Sequence, residues 1–221
     1  SGQYIAFLDS DDYWLRTKIA SQLEVLRGDP ELVLVSSMLS WLRATVDPEF
    51  LDPTAPAFDR AQVDRFEGLE HLVKDPYLGT STVVVDALAA KCAGGFDTAL
   101  PVGEDVDFYF RVCARRAYAV VREELARCQL RAGSLTTTPD GYACNLEVLD
   151  RLARANPEFA RRHEATLRSR RQAIYAEWAE SLIFRGDGRS ARAVLKRSAE
   201  AGGLPNRPVL YLKSLFAPGI R

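Results

Sequence analysis

The apolar run Tyr4-Ile5-Ala6-Phe7-Leu8 stops abruptly at Asp9-Ser10-Asp11-Asp12. A short run bounded this sharply reads as a buried strand that ends at the carboxyl edge of a sheet. Three carboxylates then crowd the point where the strand emerges. Like charges at that spacing repel, so the cluster costs stability unless something neutralises it. Two readings fit. The cluster can offer hard oxygen ligands to Mg²⁺ or Mn²⁺ with positions left open for substrate phosphates. Alternatively it is an acidic turn in which Asp11 or Asp12 caps the helix that follows.

Two other metal-site patterns can be tested on the same residues. An EF-hand loop fails, because Tyr13 and Trp14 stand where its third ligand and glycine belong. A haloacid-dehalogenase-like phosphatase also places D-x-D after an apolar strand. It calls for Thr or Val where this chain has Tyr13, and Gly103-Glu104-Asp105-Val106-Asp107 is a poor match to its later acidic motif. It stays as a minor alternative.

Further along, Ile19, Leu23 and Leu26 recur at helical spacing before Gly28-Asp29-Pro30. Leu32 to Val35 predicts a second buried strand, and the proline-containing stretch 46–59 a surface loop. Leu69, Leu72 and Val73 predict a short helix, Thr80 to Val85 a β-branched strand, and Asp86 to Cys92 a helix closed at Gly94-Gly95. A helix starts near Glu104, and Tyr118 to Val121 makes another strand. Beyond about Asn145 only helical patterns remain, among them two stretches joined by Arg185-Gly186-Asp187 that look like one tetratricopeptide-like hairpin without a second copy. The expected organisation is an α/β part over 1–143 and a helical extension over 144–221.

A second acidic constellation is Gly94-Gly95-Phe96-Asp97 followed by Leu100-Pro101-Val102-Gly103-Glu104-Asp105-Val106-Asp107-Phe108. Carboxylates at a helix start are stabilised by the helix dipole, which explains them without any function. The functional reading makes one of them a general base that takes a proton from a hydroxyl.

Together these segments resemble family 2 glycosyltransferases of the GT-A fold. Gly2 to Trp14, with Lys18-Ile19 and Gln22 behind it, is similar to the family's D-x-D segment. Gly94 to Asp97, Leu100-Pro101 and Gly103 to Phe108, ending in Arg111, are similar to its acceptor-side E-D segment, roughly 90 residues on. The likeness covers residues 1 to about 138. It implies a partial GT-A, Rossmann-like mixed sheet with flanking helices, followed by an all-helical extension. It also implies that Asp11 coordinates the metal, that Asp9 contacts the nucleotide ribose or helps the metal, and that Asp12 belongs to the same nucleotide-binding cluster. Asp105 becomes the catalytic base, with Glu104 orienting it or binding acceptor. The implied reaction is an inverting, metal-dependent transfer from a nucleotide-sugar donor to the hydroxyl of a saccharide or lipid-linked acceptor, in cell-surface polysaccharide or glycan synthesis.

The chain departs from that pattern in two places. In Gln129-Leu130-Arg131-Ala132-Gly133-Ser134, Gln129 replaces the family's Arg and Arg131 its His. A guanidinium cannot ligate the metal, so Arg131 either contacts the diphosphate or pairs with a surface carboxylate. The family's earlier βα units have no counterpart before Tyr4, so the sequence reads as truncated and is expected to be weakly active, with the flank of its first strand open.

The remaining composition excludes other classes. A formal net charge of −1 over 221 residues does not indicate a nucleic-acid-binding surface. No apolar stretch approaches the roughly 20 residues needed to cross a bilayer. The opening Ser1-Gly2-Gln3-Tyr4 lacks a basic n-region and an initiator Met, so a cytoplasmic location is expected. Cys92, Cys113, Cys128 and Cys144 form no C-x-x-C pair and read as reduced, mostly buried thiols rather than a zinc site. Arg151, Arg154, Arg161, Arg162, Arg168, Arg170 and Arg171 make the tail locally basic. They are either a solvated helix face or a peripheral contact with the inner face of the membrane, and a non-catalytic docking module is the alternative function.

Overall fold

The computed structural model describes residues 2–42, 62–76, 78–129, 139–202 and 207–217, and it divides the chain into two compact units. One comprises Ser1–Thr98 with Glu104–Ala132, and the other Ala99–Gly103 with Gly133–Arg221.

The first unit is α/β. Its strands are β1 (Tyr4–Ala6), β2 (Tyr13–Trp14), β3 (Leu32–Leu42), β4 (Val63–Glu67), β5 (Val84–Asp86) and β6 (Ala117–Gln129). They form a mixed sheet in the order β1-β5-β3-β6-β2, with β4 also on β6. β3 and β6 run parallel at its centre, and every other pairing is antiparallel. The first half of β6 carries β4 and its second half carries β2. This explains why β6 runs well past the apolar Tyr118–Val121 that marks it in the sequence. β3 likewise extends beyond Val35, with register irregularities around Met38.

The core is a β-branched and leucine-rich layer, in which Leu32, Val35, Val84, Ala119, Val121 and Leu125 pack with Val25 and Leu26. The last two come from α1 (Lys18–Gly28). Thr17 is the residue at its N-cap, and no side chain caps the helix. Asp11 and Asp12 are therefore not its caps. Helices α2 (Glu70–Lys74), α3 (Ala87–Cys92) and α4 (Glu104–Cys113) complete the unit. Asp86 caps α3 by accepting from the Ala89 amide at 2.8 Å. The β-branched run 80–85 is divided: Thr80–Thr82 forms a 3₁₀ turn and only Val84 onward is strand.

The second unit is helical, with α5 (Pro139–Ala155), α6 (Pro157–Arg162), α7 (Glu164–Phe184), α8 (Gly188–Glu200) and α9 (Arg207–Leu215). Arg185-Gly186-Asp187 makes the α7–α8 turn: Gly186 takes φ 80° and Asp187 caps α8 through the Ser190 amide at 3.0 Å. Among the described residues, several of the tail arginines meet carboxylates. Arg151 and Arg154 meet Glu147, Arg168 meets Glu164, Arg170 meets Glu177, and Arg171 meets Asp150. No disulfide forms among the four cysteines; Cys113 and Cys128 are buried, but Cys92 is exposed. No helix of the described residues is long and apolar enough to cross a membrane. The predicted 46–59 loop lies outside the described residues.

Candidate active site

β1 delivers Asp9 to the site through Phe7, whose amide donates to Val83 O at 3.3 Å. The chain then turns back, with the Asp12 amide on Asp9 O at 3.1 Å, and returns as β2 against β6. Ser81, fully buried in the 3₁₀ turn, holds this turn closed. Its hydroxyl donates to Asp12 Oδ2 at 2.6 Å and accepts from the Asp9 amide at 3.0 Å. Trp14 Nε1 donates to the Ser81 carbonyl at 2.7 Å. The other Asp12 oxygen, Oδ1, accepts from the Gln129 amide at 2.9 Å. Both Asp12 oxygens are thus engaged by the protein.

α1 supports the turn from below. Gln22 Nε2 donates to Thr82 O at 2.7 Å and Val35 O at 3.0 Å, while Gln22 Oε1 accepts from Lys18 Nζ at 2.7 Å. The Lys18 ammonium also lies 4.5 Å from the Trp14 ring centroid. Burial pulls Lys18 down to about 7. The Lys18 and Gln22 spacing behind the acidic turn is therefore a buried clamp on the sheet.

The second constellation arrives on α4. Arg111 pairs with the buried Asp107 at 2.7 Å, reaches Gly95 O at 2.8 Å and also bonds Ala93 O. It ties the Gly94-Gly95 turn, where both glycines have positive φ, to the helix. Three rings bring the two motifs together. Phe7 lies 5.0 Å from Phe96 and 6.0 Å from Phe108, and Phe96 lies 4.8 Å from Phe108.

The electrostatics follow from this convergence. Partial burial, then the charges of Asp12, Asp11 and Glu104, hold the Asp9 carboxyl above its ordinary value. Burial lifts Asp105 to about 6, with Glu104 adding to the rise. The Val106 amide, 2.7 Å from Asp105 Oδ1, and the more distant Thr80 hydroxyl at 3.4 Å oppose it. Tyr109, one turn on from Asp105, is 1% exposed, and its hydroxyl has no hydrogen-bond partner among the described residues. Burial and the charges of Asp105, Asp9 and Glu104 push that hydroxyl well above its ordinary range; Thr80 opposes the shift from outside hydrogen-bond geometry.

Asp9, Asp11, Asp12, Glu104 and Asp105 all lie in the first unit, while Arg131 lies outside the described residues. Thr80, Ser81 and Tyr109 are the site residues the sequence reading passed over. Burial raises the Cys113 and Cys128 thiols, which argues against either of these two as a nucleophile. Among the described residues no group of three or more His, Cys, Asp or Glu side chains is arranged for a metal ion. Any divalent cation here would rest on Asp9 and Asp11, and would need oxygens from a substrate to complete its shell, as Mg²⁺ sites commonly do.

No protein-family model matches the chain, and no curated protein matches it. Among solved structures, the crystal structure of S. aureus TarS is similar at a TM-score of 0.47 and 14% identity, over 97% of this chain and 38% of that one.

Proposed function

We propose that this chain carries the acidic site of a GT-A-type glycosyltransferase that moves a sugar from a nucleotide-sugar donor to an acceptor hydroxyl. The observation that carries the reading is the meeting of the two acidic motifs. They lie far apart in sequence, yet Phe7, Phe96 and Phe108 pack together and Asp9 feels the charge of Glu104.

In this reading Asp105 is the base. A carboxylate near pH 6 is ionised at neutral pH and still basic enough to accept a proton as it leaves the attacking hydroxyl. The acceptor oxygen bonds to the anomeric carbon from the face opposite the departing diphosphate, so the configuration inverts. The carbon–oxygen bond to the diphosphate breaks, and the electron pair leaves with the nucleoside diphosphate. Glu104 keeps the Asp105 proton affinity up through its charge. Asp9 and Asp11 would hold Mg²⁺ or Mn²⁺ together with diphosphate oxygens, and the ion would neutralise charge on the leaving group. Asp12, bound to Ser81 and Gln129, is a positioning residue that fixes the turn.

Titration calorimetry of the chain with Mn²⁺ and a nucleoside diphosphate tests the reading. Metal-dependent binding that disappears in Asp11→Ala supports it. Binding that is absent, or indifferent to metal, leaves a non-catalytic docking module as the better account.

A further inference from the structure

Near the end of β3 the indole of Trp41 is 61% exposed. The strand register fixes the face on which it lies. From Leu39 to Leu42, β3 pairs with Ala126 to Gln129 of β6 without irregularity, which sets Leu39 beside Ala126 and Trp41 beside Cys128. β2 sets Trp14 on the other side of Ala126. Side chains two apart on a strand, and those directly paired across strands, share a face of the sheet. Leu39, Trp41, Ala126, Cys128 and Trp14 therefore lie on one face.

The acidic turn is built on that same face. A Cβ on Gly79, just before the 3₁₀ turn, would stand 2.7 Å from Leu39 Cδ2, and Trp14 Nε1 donates to the Ser81 carbonyl of that turn. Gln129, next to Cys128, donates its amide to Asp12 Oδ1 at 2.9 Å. Burial first, and then Asp12, raise the Cys128 thiol, as its place against the acidic turn requires. The 3₁₀ turn thus packs on Leu39, and two residues further on the Trp41 ring stands in the open, paired with the residue that meets Asp12.

An open indole beside carboxylates has the chemistry of a saccharide site. The face of the ring carries partial negative charge and takes the C–H face of a pyranose, while carboxylates accept from its hydroxyls. One indole matches one sugar ring in size, whereas a stable protein partner would need about 800 Å² on each side. A neutral sugar also adds no charge to a turn that already holds three carboxylates.

We propose that Trp41 is the platform on which a neutral sugar ring of the acceptor stacks beside the acidic turn. This rests on the transferase reading. An array of neutral oligosaccharides probed with the full chain tests it, alongside calorimetry with Mn²⁺ and uridine or guanosine diphosphate. Wild type should retain a subset of the glycans, Trp41→Ala should weaken that retention on the order of tenfold, and Trp41→Phe should keep most of it. The ring is exposed, so the melting midpoint should not move, and diphosphate binding should be alike in all three proteins. No retained glycan, or retention indifferent to Trp41→Ala, would overturn the proposal. So would diphosphate binding lost in Trp41→Ala, since that assigns the ring to the nucleobase. Glycan retention through Trp41 with no metal-dependent diphosphate binding in wild type would keep the platform and remove the transferase reading.

Discussion

Asp105 combines two properties that usually compete. Burial raises its carboxyl to about 6, so the folded chain binds a proton there that the unfolded chain releases nearer 3.8. The stability this provides is full below the unfolded value and is lost as pH rises through about 6. At pH 8 the ionised carboxylate is therefore destabilising to the fold. Asp105→Asn should raise the unfolding free energy at pH 8 by about 1–2 kcal/mol, and this advantage should shrink by pH 4.5. On the proposed function the same variant should also abolish sugar transfer, and the wild-type rate should fall as pH drops through about 6. Denaturant melts and a pH–rate profile check the two halves separately. Lys18 gives the opposite sign. Its folded value near 7 lies below the unfolded 10.5, so wild type should gain stability relative to Lys18→Met as pH rises from 7 toward 10. A flat difference between the two melts over that range would show that the ammonium is not desolvated.

The acidic residues were legible because carboxylates that interrupt an apolar strand stand out against their background. Ser81 was not, because Thr80 to Val85 reads as uninterrupted β-branched strand and nothing local marks a 3₁₀ turn. Its role comes from contacts some 70 residues distant in sequence, with Asp9 and Asp12. Ser81→Ala should leave the half-buried Asp12 Oδ2 and the Asp9 amide without their partner and cost about 1–3 kcal/mol, read as a lower melting midpoint. Tyr109 was missed for a related reason: an aromatic on the inner face of an amphipathic helix is ordinary core, and only the unpartnered hydroxyl separates it from one.

At the scale of elements, existence was easier to read than extent. α1, α3 and α4 follow from apolar spacing and glycine stops within the segments themselves. The lengths of β3 and β6 depend on partners elsewhere: β6 continues to Gln129 because β2 pairs with its second half. The Gly94-Gly95 turn is a similar case. Its glycines permit the positive φ, but Arg111 holds it in place through bonds to Ala93 O, Gly95 O and Asp107. Arg111→Lys keeps the charge and loses the planar fork that reaches three acceptors. It should cost about 1–3 kcal/mol in a denaturant melt and displace Phe96 from Phe7 and Phe108. A lysine variant that melts with wild type would show that the turn holds itself.

At the scale of the whole molecule, the boundary between units does not follow the chain. The sequence shows a change of pattern near residue 143, because that is where strand signals cease. The structure gives the helical unit residues from Gly133 onward and also Ala99–Gly103, which interrupts the α/β unit immediately before Glu104. Leu100 and Val102 are each 7% exposed, and a Cβ on Gly103 would meet Asn145 Oδ1 at 3.1 Å and Val148 Cγ2 at 3.4 Å, both on α5. Ala99–Gly103 thus packs within the helical unit. Fragment 1–132 removes the helices that hold this loop, so Leu100 and Val102 lose cover and Gly103 is no longer fixed at φ 80°. The fragment should bind a hydrophobic dye and aggregate, and co-expression with 133–221 should restore soluble protein. If fragment 1–132 instead melted cooperatively at the wild-type midpoint, the loop would be held by the α/β unit alone.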